Sequence, residues 1–390
     1  MLTAPNRTRL PSSRHHMSSE SDLKAGLTTT TILTLAPHEI EGWQSSSGNA
    51  HTSVRRLSLV RGEDSRDWCA DQVLAITKHL SADRGGVLEF LDIAQFIPDA
   101  GSTEEDPPPI EEVLGPVAHS LKSISLEVPD VGSGTLLGIL CSLPRLQDFT
   151  INAPNIRRSR YEGVTTQAGP STTGKLGLFN LDVGGEYFIN QLLQYPLEYR
   201  AIGLSHNKLI DSYNALVNAS ADTLRSLAIH DIGKHTPKII FRPFRSQRPT
   251  LNSEPYTEER HFKRVHDHIS VVNCSELSEL IFGAGEISEA KTTRMITAVL
   301  STVSSTRFER LRISYQFVLN SETVTAEADS PEWDAVDEEL VRIASESDYQ
   351  IEVTFNSLSE GGDAPIQATR FLSRFQEKGT VKFTFGPEYP

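Results

Sequence analysis

A short pattern of apolar and polar residues returns along most of the chain. It reads as an apolar residue, two others, an apolar residue, one other and a third apolar residue. Nine clear copies begin at residues 54, 88, 121, 146, 176, 199, 224, 277 and 308, and two weaker ones lie at 349–353 and 381–385. Each copy ends in an alternation of period two, which predicts a short strand with one buried face.

Between the copies, apolar residues recur at the three- and four-residue spacing of an amphipathic helix. Five predicted helices have inner faces at Val73, Ile76, Thr77 and Leu80; Leu136, Leu137 and Leu140; Leu209, Tyr213, Leu216 and Val217; Met295, Ala298, Val299 and Thr302; and Trp333, Val336, Leu340 and Ile343. A last helix is predicted over 366–377, with Phe371, Leu372 and Phe375 buried, and the segment TILTLAP at 31–37 predicts an edge strand.

Alternating strands and helices form a doubly wound sheet, a closed barrel or a solenoid. The first two cover both strand faces with helices and need apolar strands, whereas these strands alternate with polar residues such as Ser58, Asp92 and Asn180. The predicted fold is therefore α/β, a leucine-rich-repeat solenoid with a curved parallel sheet on the concave face and helices on the convex face. The segment IGLSHNKL at 202–209 has the asparagine of that repeat, and VVNCSELSEL at 271–280 places Cys274 at the same position, a strand-to-helix corner.

Over about 54–386 the chain resembles the leucine-rich-repeat region of fungal F-box-type proteins. The segments that carry the resemblance are VRRLSL at 54–59, CSLPRLQDFTI at 141–151, ADTLRSLAI at 221–229, SVVNCSELSELIF at 270–282, TRFERLRISY at 306–315, PEWDAVDEELVRIA at 331–344 and FLSRFQEKGTVKFTFG at 371–386. Such proteins begin with an F-box, a helical segment that docks on the adaptor of a ubiquitin ligase, and residues 1–50 show no clear F-box. The resemblance implies a substrate-recognition module that binds another protein.

We expect residues 1–50 to be a disordered N-terminal segment. Residues 51–386 should form a single leucine-rich-repeat-like solenoid, interrupted by a loop insert at about 232–268. The expected function is that of a non-enzymatic scaffold for protein–protein interaction. Two alternatives stay open: an intact SCF-type ubiquitin-ligase receptor subunit whose divergent F-box binds the ligase adaptor, and a hydrolase or transferase on a repeat fold.

Composition narrows the class of partner. The net charge is −14, which argues against a nucleic-acid partner because neutralising phosphates requires a basic surface. No apolar run approaches the length of a membrane span. The three cysteines, an odd number and far apart in the chain, indicate a reducing intracellular compartment, the cytoplasm or the nucleus.

Motifs that carry chemistry are weak in this chain. His261, His266 and His268 lie near Cys274 but have no CxxC or HExxH partner. The segment GPSTTGK at 169–175 has the spacing of a phosphate-binding loop, but a leucine rather than a hydroxyl residue follows the lysine. No GxSxG motif is present. We therefore predict no catalytic residue, no cofactor and no metal.

The candidate site is the face of the strands that points away from the helices. Counting from the first apolar residue of each copy, the outward positions are the third, fifth and seventh. The predicted partner-binding residues are Arg56, Asp92, Glu127, Asp148, Asp182, His230, Glu279, Arg310, Arg312 and Glu352. The middle of this set is acidic and its ends carry the arginines, so we expect a basic peptide to suit the centre.

Overall fold

The computed structural model describes residues 31–40, 42–43, 54–61, 67–82, 87–98, 108–159, 173–182, 184–206, 209–231, 269–286, 290–316, 331–357 and 371–385. The predicted insert at about 232–268, with His261, His266 and His268, lies outside the described residues, as do Asn207 and most of residues 1–50.

One long parallel sheet forms the frame of the molecule. Its twelve strands are β1 (Thr31–Leu35), β2 (Val54–Leu59), β4 (Phe90–Ile93), β6 (Ser123–Glu127), β8 (Asp148–Asn152), β10 (Thr173–Phe179), β11 (Glu198–His206), β12 (Ser226–Asp231), β13 (Glu279–Glu286), β14 (Arg310–Gln316), β15 (Glu352–Ser357) and β16 (Thr380–Phe385). Two short parallel pairs stand beside it, formed by β3 (Trp68–Cys69) with β5 (Phe96–Ile97) and by β7 (Val131–Gly132) with β9 (Ile156–Arg157).

The strands of the long sheet follow one another in chain order. A doubly wound sheet would reverse that order at a switch point, and this sheet does not. Among the described strands, β1 and β16 are the two edges and do not pair with each other, so the sheet does not close into a barrel. The prediction of an α/β fold built on a parallel sheet is confirmed, and the sequential order is the one expected of a solenoid.

The described residues form seven α-helices between the strands, and most neighbouring helices along the sheet pack on one another. They are α1 (Ala70–Ala82), α2 (Ile110–Leu114), α3 (Ser133–Ser142), α4 (Gly185–Leu192), α5 (Ile210–Ala219), α6 (Ala290–Leu300) and α7 (Pro331–Glu346). Short 3₁₀ turns occur at Pro37–Glu39, Gly115–Val117 and Phe375–Glu377. Within the described part of the chain, none of the helices combines the length and the apolar character needed to cross a membrane.

The helices cover only one face of the sheet. On β2 the side chains of Leu57 and Leu59 are fully buried, whereas Arg56 is exposed and Ser58 is half-buried. The same alternation holds on β6 and β8, and one continuous apolar core runs between sheet and helices from Leu35 to Phe375. In the part of the chain that the structure describes, no helix lies on the other face of these strands.

Most of the predicted helical faces are buried as expected. All four predicted residues of α1 and all four of α7 lie in the core or are fully buried beside it. In α6, Met295 and Val299 are buried as predicted, but Ile296 takes the inner position rather than Ala298. The predicted edge strand at the amino-terminal side is confirmed as β1, the first of the described strands, so the sheet includes residues before residue 51.

The prediction for Cys274 needs a correction. Its side chain is fully buried, as a small inward residue should be, but it does not lie at a strand-to-helix corner. A tight turn, in which the Cys274 amide donates to the carbonyl of Val271 at 3.0 Å, leads into β13. The repeat alignment failed because residues 271–274 form this turn ahead of the strand rather than a strand of their own.

Candidate protein-binding face of the sheet

The outward face is defined here as the strand side chains that point away from the helices, and the strand register arranges it in three rows. From β2 onwards, the first row is Arg56, Phe90, Ser123, Asp148, Lys175, Ala201, Ser226, Glu279, Arg310, Glu352 and Thr380. The second is Ser58, Asp92, Ser125, Thr150, Gly177, Gly203, Ala228, Ile281, Arg312, Thr354 and Lys382. The third contains Glu127, Asn152, Phe179, Ser205, His230, Gly283, Ser314, Asn356 and Thr384.

Nine of the ten predicted partner-binding residues lie in these rows. In the first row are Arg56, Asp148, Glu279, Arg310 and Glu352, in the second Asp92 and Arg312, and in the third Glu127 and His230. The structure does not bring them into one cluster, because they spread over strands from β2 to β15. That they bind a partner stays a prediction.

Asp182 is the exception, and it lies in a turn rather than on a strand. Its Oδ1 accepts hydrogen bonds from the backbone N–H groups of Ile156 at 3.1 Å and Gly184 at 3.0 Å. The repeat at β10 is in register three residues earlier than the sequence pattern indicates, with Leu176 and Leu178 as the buried pair. The outward residues of β10 are therefore Lys175, Gly177 and Phe179.

The part of the outward face on β13–β16 is occupied by ion pairs between its own residues. The Glu279 carboxylate lies 3.0 Å from Nε of Arg312 and 3.8 Å from Nη1 of Arg310. On the next strands Glu352 pairs with Lys382, and this hydrogen bond, together with the positive charges of Lys382 and Arg310, lowers the pKa of Glu352. Four predicted site residues thus interact chiefly with other residues of the same face.

Between these ion pairs and the amino-terminal strands lies an aromatic platform, formed by Phe179 and His230. The two rings meet edge to face, with centroids 5.2 Å apart. Phe179 lies so close to the sheet that a Cβ on Gly203 would be 3.0 Å from Cζ of its ring. His230 lies even closer to Gly283, where a Cβ would be 3.1 Å from two ring carbons and nearer still to Nδ1. Glycine at these positions lets both rings lie against the strands.

His230 is neutral at physiological pH. Burial of the ring, helped by the nearby positive charge of Lys175, lowers the pKa of His230 to about 4. The platform is consequently an uncharged surface, and Lys175 is the charged residue of the outward face on β10–β12. Apart from Lys175, the first and second rows hold only small side chains on these strands, those of Ala201 and Ala228 among them.

The amino-terminal strands present carboxylates instead. Asp92, Glu127 and Asp148 stand on β4, β6 and β8, whose other outward residues are uncharged. Burial raises the pKa of Glu127, although Gln95 donates a hydrogen bond to its carboxylate and Arg61 lies near enough to oppose the shift. Among the described residues, no Lys or Arg side chain forms an ion pair with this carboxylate.

Other sites for chemistry are sparse in the described part of the chain. It contains no group of three or more His, Cys, Asp or Glu side chains arranged to hold a metal ion. A depression of about 240 Å³ lies at the amino-terminal ends of β8 and β10, lined by Lys122, Arg145, Gln147 and Thr173 among others. The three cysteines are unpaired, and burial raises the pKa of Cys274 to about 11. Lys175, of the phosphate-loop-like segment, is a strand residue.

Comparison with models of known protein families finds no match for this chain, and no curated protein matches it either.

The sequence pattern missed Phe179, Lys175 and the glycines of the platform. Phe179 counted as a core residue because it fills the second apolar position of the copy that begins at residue 176. The recurrence of Gly177, Gly203 and Gly283 in the central copies was the available signal, since glycine in a strand often marks the close approach of another group.

Proposed function

We propose that the chain is a leucine-rich-repeat solenoid of the F-box-like class and works as a non-enzymatic scaffold for protein–protein interaction. Its outward face would be the concave surface on which a substrate or another partner protein docks. Our proposal includes a reducing compartment, the cytoplasm or the nucleus, in keeping with three unpaired cysteines.

The observation that carries the proposal is the centre of the outward face. Across β10–β12 the ring of Phe179 lies against Gly177 and Gly203, which are buried beneath it, and the short side chains of the half-buried Ala201 and Ala228 leave a low surface beside the rings of Phe179 and His230. A partially exposed aromatic group beside a flat floor is the usual setting for an interface anchor, because burying it against a partner removes apolar area from water at little cost in side-chain entropy. A repeat sheet with one face free of helices offers a continuous surface of this kind.

Affinity capture with a matched pair of variants tests the proposal. The full-length tagged chain is compared with Ala201→Arg/Ala228→Arg, which places two long side chains on the floor of the outward face. The control is Asn190→Arg/Ala219→Arg, which adds the same two side chains at exposed positions of α4 and α5. Thermal unfolding of all three chains verifies that they are folded.

A protein that co-purifies with the wild type and the control, and falls at least about tenfold with the outward-face variant, would support the scaffold function. If everything captured by the wild type is retained by the outward-face variant, the proposed surface is wrong. The same experiment addresses the alternative of an intact ligase subunit: a ubiquitin-ligase adaptor and a cullin should then co-purify with all three chains.

A further inference from the structure

The charges of the outward face are divided between its two ends. On β2–β8 one basic residue, Arg56, stands against three acidic ones, Asp92, Glu127 and Asp148, which is a net charge of −2. On β10–β16 the rows contain four basic residues and two acidic ones, which is a net charge of +2. The basic residues are Lys175, Arg310, Arg312 and Lys382, and the acidic ones are Glu279 and Glu352. The face is neutral as a whole but bipolar along the sheet.

The boundary between the two halves falls next to the aromatic platform. Asp148 and Lys175 are register partners on adjacent strands, yet no ion pair between them is present in the described residues. The positive charge of Lys175 acts instead on His230, two strands away, as the lowered pKa of His230 records. Both charges at the boundary therefore stay available to a ligand.

The internal ion pairs do not cancel the positive half. Glu279 is shared by Arg310 and Arg312, and Glu352 pairs with Lys382, so the five charges on β13–β16, three basic and two acidic, leave one cation in excess. With Lys175 the excess becomes two. In the negative half, Arg61 opposes Glu127 from beyond the end of β2, but no outward residue of β4, β6 or β8 is basic.

Given the proposed function, on which this inference rests, we propose that the occupant is an extended segment of another protein with its charges separated. Its basic residues would lie over β4–β8, its acidic residues over β10–β14, and a small or aliphatic residue between them on the platform of Phe179 and His230. Neighbouring strands are about 4.8 Å apart, so the seven steps from β4 to β14 span roughly 34 Å, about ten residues of extended chain. Complementary charge of this kind selects the partner and its direction across the strands more than it adds affinity.

A displayed library of random 14-residue peptides, selected on the immobilised full-length chain, provides the probe. A parallel selection uses Asp148→Lys/Lys175→Glu, which exchanges the two charges at the boundary and leaves the net charge of the protein unchanged. The matched control is Lys78→Glu/Glu112→Lys, the same exchange in an exposed ion pair that joins α1 to α2. Thermal unfolding establishes that each chain is folded before selection.

We expect the enriched peptides to carry Lys or Arg towards one end and Asp or Glu towards the other. Their enrichment should fall at least about tenfold on the boundary exchange and stay unchanged on the control. Peptides of a single sign, equal enrichment on the boundary exchange, or no enrichment at all would overturn the inference. If the capture experiment succeeds while the peptides show no charge order, the scaffold function stands and only the bipolar ligand is wrong.

Discussion

Replacing Gly283 with alanine should destabilise the protein by about 1–3 kcal/mol, the range for an extra methyl group in a packed site. The added Cβ would be 3.1 Å from Cγ and Cε1 of His230 and closer still to Nδ1, so the imidazole must move away from the strand. Moving it also separates the ring from Phe179, whose centroid is 5.2 Å away. The backbone of Gly283 itself accepts alanine without strain, because it is not among the glycines of positive φ.

The same substitution in a His230→Ala background isolates the cause. With the ring gone, alanine at 283 meets no obstacle and should be neutral, or stabilise by about 0.5 kcal/mol by restricting the unfolded chain. Urea unfolding followed by the fluorescence of the three buried tryptophans, Trp43, Trp68 and Trp333, measures all four chains of this cycle. An equal cost of Gly283→Ala in both backgrounds would refute the position of the ring and, with it, the aromatic platform.

Three further predictions concern single side chains. The stability that neutral His230 contributes is present above its unfolded pKa of about 6.5 and is lost as the pH falls towards its folded pKa of about 4. His230→Phe should therefore reduce the decline in unfolding free energy between these two pH values. Asp337 on α7 is buried and accepts hydrogen bonds from the backbone N–H groups of Arg374 and Phe375. In urea unfolding, Asp337→Ala should lower the free energy of unfolding by about 2–4 kcal/mol. The control Asp334→Ala, at an exposed position of the same helix, should lower it by less than about 0.5 kcal/mol. Cys274, fully buried and with a pKa of about 11, should be alkylated by iodoacetamide more slowly than Cys69 in the native chain, and equal rates would contradict its burial.

Most strands of the long sheet and five of the seven described α-helices were predictable because each depends on a local period. The helix that begins at Pro331 has its inner face at Trp333, Val336, Leu340 and Ile343, all buried, because a run of sixteen helical residues repeats the period often enough to be unmistakable. The sequential order of the strands also follows from the regular step between copies, since short connections leave each strand beside its predecessor.

The register of β10 was not predictable from the apolar pattern. Its first pattern position is Thr173, which is polar, so the pattern fits better three residues later, where Leu176, Phe179 and Leu181 give a false copy. A left-handed Asn180, with φ of 53°, ends the strand there. A shift by an odd number of residues exchanges the two faces of a strand, which is why Asp182 was placed on the outward face and Phe179 in the core.

The correction at β10 changes what the surface attracts. With Asp182 the centre of the outward face would be acidic, and a purely basic peptide would suit it; with Lys175 in its place, the negative half ends at Asp148. The chain carries a net charge of −14, yet the five basic and five acidic residues of the outward rows cancel, so the acidic surplus lies elsewhere on the protein. At physiological ionic strength that surplus is screened beyond about 8 Å. A ligand crossing the strands is therefore selected by the order of charges directly beneath it, and the overall acidity of the chain is a poor guide to its partner.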